Sequence, residues 1–196
     1  MLITVLSLML MLHDGPDPLV AYPLRASDQI DDHVRATLGP PIPLSRPLDF
    51  LPTALGGGAE LGEEDRLVIA EDFSTVRSLL PDREMTVSAW VSVTTPRRWG
   101  GILGCVQDNA DAETGWILGY DQSNFTFGLS TTGADDGNGR LTYVTGRTRY
   151  QEGRLYHVVG TYDGAVARLY VNGELDGESR VQSGDLKYPA STPFTL

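Results

Sequence analysis

The chain contains a single cysteine, Cys105, in 196 residues. No intrachain disulfide can form, and no zinc site built on several thiolates is available. Lysine is as scarce. Lys187 is the only one, and the remaining basic residues are arginines, scattered apart from the adjacent Arg97 and Arg98. Basic charge as a whole is short: 15 Lys and Arg stand against 26 Asp and Glu, a formal net charge of -11. Nucleic acid as the main partner is excluded by the lack of a basic face, and so is an anionic membrane surface. Apolar runs are short, and none approaches the roughly 20 residues that a membrane span needs. Also missing are a phosphate-binding loop, a G-x-S-x-G turn and an H-E-x-x-H helix.

What is present is punctuation. The 22 glycines and 12 prolines favour many turns over long helices. Leu2 to Leu12 is apolar apart from Thr4 and Ser7. Its length suits the apolar part of a secretory signal, with Asp14 to about Tyr22 as the polar exit; a core or amphipathic helix is the alternative. Residues 1–22 are therefore set apart as an export signal or an N-terminal apolar segment, and the lone cysteine is compatible with export. From Pro23 to Pro52 six prolines rule out a helix, so 23–58 reads as a proline-rich lead-in that supplies first strands. Ile42-Pro43-Leu44 suits only edge strand or extended chain. Glu63-Glu64-Asp65 reads as a solvated turn rather than a metal cluster.

From residue 84 the pattern is that of successive β-strands. Met85 to Val93 alternates with period two: Met85, Val87, Ala89, Val91 and Val93 share one face, and Trp90 lies on the other. Further strands are expected at Gly100 to Val106, Gly115 to Tyr120, Asn124 to Thr131 and Arg140 to Thr145. Tyr156 to Tyr162 ends at Asp163-Gly164. Ala165 to Val171 runs back and ends at Asn172-Gly173, a strong hairpin signal because both residues tolerate positive φ. Glu174 starts the next strand. Short strands at near-regular spacing, separated by turn chemistry, predict an all-β sandwich.

The segment from His157 to Gly164, followed by Leu169 to Gly173, resembles the H-V-x-x-T-Y-D-G strand and L-Y-V-(D/N)-G hairpin of the laminin-G-like, concanavalin A-like jelly-roll superfamily. Met85 to Val91 resembles that family's F-T-I-S-A-W-V strand. Gly100 to Gly104, Gly115 to Asp121 and Phe125 to Thr131 follow in the family's order. The resemblance implies an antiparallel two-sheet jelly-roll sandwich over 59–196 that binds through rim loops or one sheet face. It implies a binding module, often extracellular, frequently joined to hydrolase domains in bacterial proteins. It also implies a closing strand beyond Pro193-Phe194-Thr195-Leu196, so the domain is expected to be a fragment, incomplete at its C-terminus. An edge left unpaired there would be an aggregation liability.

Catalysis is not expected. Glucanases of this superfamily carry E-x-D-x-x-E on one strand, which sets acid and nucleophile on one face. No strand here has that spacing, and the acids gather in turns. Cys105 lies in an apolar strand and reads as a buried, inert thiol. His157 reads as structural. Two acidic loops are calcium candidates, because calcium takes several oxygen ligands from loop carboxylates, amides and carbonyls. Their ligands would be Asp108 and Asp111 in one loop, and Asp135, Asp136 and Asn138 in the other; solvated turns are the alternative. Arg98, Trp99, Trp116 and Tyr120 are the candidate ligand-binding residues, offering stacking and hydrogen bonds to a sugar. Core packing is the alternative for Trp116 and Tyr120. The expected function is a secreted or cell-surface recognition module for carbohydrate or protein. The alternative is a structural or substrate-targeting accessory domain of a larger secreted hydrolase.

Overall fold

Alternation of apolar and small polar residues is obeyed along the middle of the chain, and it builds two sheets that bury their facing sides. The computed structural model describes residues 3–11, 18–62 and 65–196. Its strands are, in order, β1 (Ile3–Met11), β2 (Pro18–Tyr22), β3 (Gln29–Ile30), β4 (His33–Val34), β5 (Ile42–Pro43), β6 (Asp49–Leu51), β7 (Gly58–Leu61) and β8 (Val68–Ala70). They continue as β9 (Glu84–Val93), β10 (Gly100–Asp108), β11 (Glu113–Tyr120), β12 (Asn124–Leu129), β13 (Thr142–Arg149), β14 (Leu155–Asp163), β15 (Ala167–Val171), β16 (Glu174–Ser179) and β17 (Phe194–Thr195). One sheet runs β16-β15-β14-β9-β1-β7-β6, with β2 on β1; the other runs β13-β12-β11-β10-β17-β8. The pairings of both are antiparallel, which gives the expected all-β two-sheet sandwich.

The core follows the pleat. Met85, Val87, Ala89 and Val91 on β9 are buried, as are Val158 and Leu169 on the neighbouring strands. Trp116, Leu118, Phe127 and Leu129 face them from the other sheet. The two layers touch where the Phe127 ring packs on Gly160, which has no side chain to hold it away. Asp176 of β16 ties the sheets at one edge, accepting from the Thr148 backbone N–H at 3.0 Å and from Thr148 Oγ1 at 2.7 Å. Buried Gln182 does the same work for the segment after β16. Its Oε1 accepts from Thr131 N–H and hydroxyl, and its Nε2 donates to Arg140 O at 2.7 Å.

At the N-terminal side the structure departs from the helix alternative and from the expected boundary. The apolar run set apart as a signal or helix supplies β1, which lies between β9 and β7 in the sheet. Extended strand wins over helix here because both neighbours offer unpaired backbone donors and acceptors. The proline-rich lead-in carries β3 to β6, with Val34, Ile42 and Leu48 buried. The division expected at 58 and 59 falls inside β7, a strand of the larger sheet. At the other end, Phe194–Thr195 pairs with both β10 and β8. The fifth expected strand is displaced from Arg140–Thr145 to Thr142–Arg149. Glu63 and Glu64 lie outside the described residues, as do Asp14 and His13. Among the described residues no helix is long and apolar enough to cross a membrane.

Candidate functional site

The outer face of the six-stranded sheet is set by register. Cross-strand partners share a face, so the row Gly104–Ile117–Gly128–Tyr143 runs across β10 to β13, with Gly101–Gly119–Thr126–Thr145 beside it. Four of these eight outward positions are glycine. The face is therefore a low floor. Tyr143 lies across Gly128, whose missing side chain makes room for the ring: a Cβ there would stand 2.7 Å from Tyr143 Cε1.

Trp99 comes onto this face from the turn before β10. It holds φ near 60°, a left-handed backbone that costs a side-chain-bearing residue, and it is 62% exposed. Its ring stands 5.7 Å from that of Tyr143, tilted by 52°, and the Arg98 guanidinium lies 5.3 Å from the Trp99 ring centroid. The Tyr143 hydroxyl donates to Asp108 Oδ2 at 2.7 Å. Burial raises the Tyr143 pKa, and the carboxylates of Asp108 and Glu113 raise it further, so the phenol stays a neutral donor. Glu113 lies opposite Asp108 across β10 and β11, and its Oε2 accepts the Leu141 N–H at 3.2 Å.

Next to this aromatic ridge is a groove of about 300 Å³. Gly101, Gly104 and Ile117 line it together with Arg97, Leu61, Asp65, Arg66 and Thr195. The Asp65 carboxylate is occupied by a bidentate pair with Arg46 Nη2 (2.6 Å to each oxygen) and by the Gly62 N–H at 2.7 Å.

The residues expected from sequence separate into two groups. Arg98 and Trp99 are together on the outer face. Trp116 and Tyr120 do not reach the outer face: they are 0% and 1% exposed, on the inward side of β11. Trp116 packs edge-on against Phe194, and Tyr120 against Tyr150. Alternation put them on one face with Leu118, and that face meets the opposing sheet.

The two acidic loops do meet, since Glu113 N–H donates to Asn138 O at 3.0 Å and Glu113 bridges to Gly139. Their carboxylates are nevertheless spent elsewhere. Asp108 accepts from Tyr143, and Asp135 pairs with Lys187 while accepting the Gly137 and Gly139 N–H groups at 2.9 Å each. These contacts, that with Lys187 foremost, hold the Asp135 carboxyl down to about 2. Asp111 and Asp136 are exposed. Among the described residues no three Asp, Glu, His or Cys side chains form a metal-holding group, so the calcium ligand set Asp108, Asp111, Asp135, Asp136 and Asn138 is not assembled. Cys105 is fully buried and its thiol is pushed up to about 12, an inert group. His157 stacks on Trp90 at 4.9 Å on the outside of the other sheet.

Sequence reasoning missed Tyr143, the glycine floor, Arg66 and Arg97. One signal was available: glycine recurs at the outward positions of three consecutive strands.

The family model of the concanavalin A-like lectin/glucanases superfamily matches residues 68–196. Pappalysin-1 of Mus musculus is 26% identical over 121 residues, which is 56% of this chain but 7% of pappalysin-1. Among solved structures, domain 4 of AbnA, a GH43 extracellular arabinanase from Geobacillus stearothermophilus in complex with arabinotriose, aligns with a TM-score of 0.49. That alignment has 17% identity and covers 79% of this chain and 68% of that one.

Proposed function

Because the chain belongs to the concanavalin A-like lectin/glucanases superfamily, we propose that it is a non-catalytic recognition module that binds carbohydrate on the outer face of β10 to β13. Trp99 carries this reading. A large apolar ring is held in a costly backbone conformation and left exposed, where it adds nothing to the core. An indole beside a tyrosine on a flat glycine floor offers a stacking surface for a sugar ring. Arg98 and the Asp108–Tyr143 pair supply polar groups at its margin. The non-catalytic part of the reading is supported by the absence of the E-x-D-x-x-E strand and by the internal bonds that engage Asp108 and Glu113. On this reading the module is secreted or displayed at the cell surface, where glycans are met.

A second reading, an accessory domain of a larger secreted hydrolase, is favoured by one observation: the matching segment is a small fraction of pappalysin-1. The two readings share the binding face and differ in what is attached to it.

A glycan array with the wild-type chain and Trp99→Ala, in calcium and in EDTA, tests the binding reading. Glycan binding by the wild type in both buffers is expected, lost in Trp99→Ala with the fold retained. Absence of any bound glycan, or binding indifferent to Trp99, overturns it, and hydrolysis of a bound glycan overturns the non-catalytic part.

A further inference from the structure

We propose that the groove beside the Trp99–Tyr143 ridge takes the carboxylate of an acidic saccharide, with Arg66 and Arg97 as its charge partners. The proposal rests on the recognition reading above and names the ligand class of the same face. Arg66 precedes β8 and Arg97 precedes β10. Thr195 of β17 partners both Val68 and Gly104, so β8 and β10 run parallel, with Arg66 alongside β10 and Arg97 before its start. Both arginines line the one groove, where two long guanidinium side chains can close around one anionic group.

Asp65, the carboxylate lining the groove, already holds Arg46 in a bidentate pair. Neither Arg66 nor Arg97 has an ion pair with an acid among the described residues, and Arg97 meets the neutral hydroxyl of Tyr120. The chain's -11 charge opposes polyanions at long range. At physiological salt the screening length is about 8 Å, so the two guanidinium groups in the groove dominate there over distant acids. The planar guanidinium fork suits a carboxylate, and the volume of about 300 Å³ lies at the small end of ligand sites, the scale of a sugar unit rather than a folded partner. Continuity with the aromatic ridge favours a saccharide over an acidic peptide, since a pyranose has a face to stack.

The test is calorimetric titration of the chain with oligosaccharides of polygalacturonate, alginate and hyaluronan, each beside its carboxyl-reduced derivative. At least one acidic form is expected to bind about tenfold or more tighter than its reduced form. Arg66→Gln and Arg97→Gln should each remove most of that preference while leaving melting temperature and binding of the reduced form unchanged. Equal affinity for acidic and reduced forms, or a preference that survives both substitutions, overturns the proposal; the recognition reading stands if Trp99→Ala still abolishes that binding. Failure of every glycan, acidic or neutral, overturns the recognition reading as well. A poly-glutamate peptide bound through the same arginines, with no saccharide bound, overturns the saccharide assignment.

Discussion

The Tyr143 ring occupies the space that Gly128 leaves empty: a Cβ on residue 128 would stand 2.7 Å from Tyr143 Cε1 and 3.3 Å from Ile117 Cγ2. The same ring faces Trp99, and its hydroxyl reaches Asp108. A missing side chain on one strand thus fixes where an aromatic on the next one lies.

Gly128→Ala should therefore move the ridge without breaking the sheet. The obstacle is a side chain that can swing, so the stability loss is expected at about 1 kcal/mol, the lower end for overpacking. Glycan affinity should fall by at least about fivefold, because Tyr143 leaves Trp99 and Asp108. Thermal unfolding and calorimetry on the same sample check both; unchanged affinity would remove Tyr143 from the binding face.

Trp99→Gly and Trp99→Ala should part in stability and agree in binding. Both delete the indole, so both should lose the ligand. Glycine relieves the left-handed backbone strain of roughly 1–2 kcal/mol, which offsets the lost contact with Tyr143 of about 0.5–1.5 kcal/mol. Alanine keeps the strain and loses the contact. Trp99→Gly is expected within about 0.5 kcal/mol of wild type, and Trp99→Ala about 1 kcal/mol below it, by urea denaturation.

Gly115 and Gly137 both have positive φ, 97° and 124°, yet their substitution should differ sharply. A Cβ at 115 would overlap the Cys105 backbone carbonyl, whereas one at 137 meets nothing within 4 Å. Gly115→Ala should cost about 3 kcal/mol or more, since backbone must move at the centre of the sheet. Gly137→Ala should cost only about 1 kcal/mol of backbone strain. Equal losses in denaturant melts would contradict this ordering.

Acid sensitivity should be traceable to Asp135. Its folded-state pKa is depressed to about 2, first by Lys187 and then by backbone N–H groups. A depressed carboxylate contributes stability above its unfolded value of about 3.9, and that contribution is lost as pH falls through the folded value. Asp135→Asn should lower stability at neutral pH and flatten the decline between about pH 4 and 2. A wild-type slope retained in the variant across that window would refute the assignment.

The strands from 84 to 179 were legible because their signals are local. Period-two alternation names the strand, and the Asn172-Gly173 turn, with φ of 52° and 85°, is read from two residues. The displaced fifth strand shows the limit. Arg147, Thr148 and Arg149 lie beyond the expected strand, and they join it because β13 pairs with β12 as far as Asn124 opposite Arg149. Trp116 and Tyr120 show another: alternation groups them but does not say which face meets the second sheet.

The sequence alone determined an all-β chain with no intrachain disulfide and little basic charge, because composition and nearest-neighbour spacing carry those properties; the expectation that acids gather in turns fails at β16, which carries Glu174, Asp176 and Glu178. Tertiary structure alone decided that Ile3–Met11 is a strand between β9 and β7, that the loop acids are spent on a tyrosine and the single lysine, and that Arg66 and Arg97 share one groove. Each of those depends on pairing between distant segments, and strand register, which no local pattern specifies, sets which residues meet.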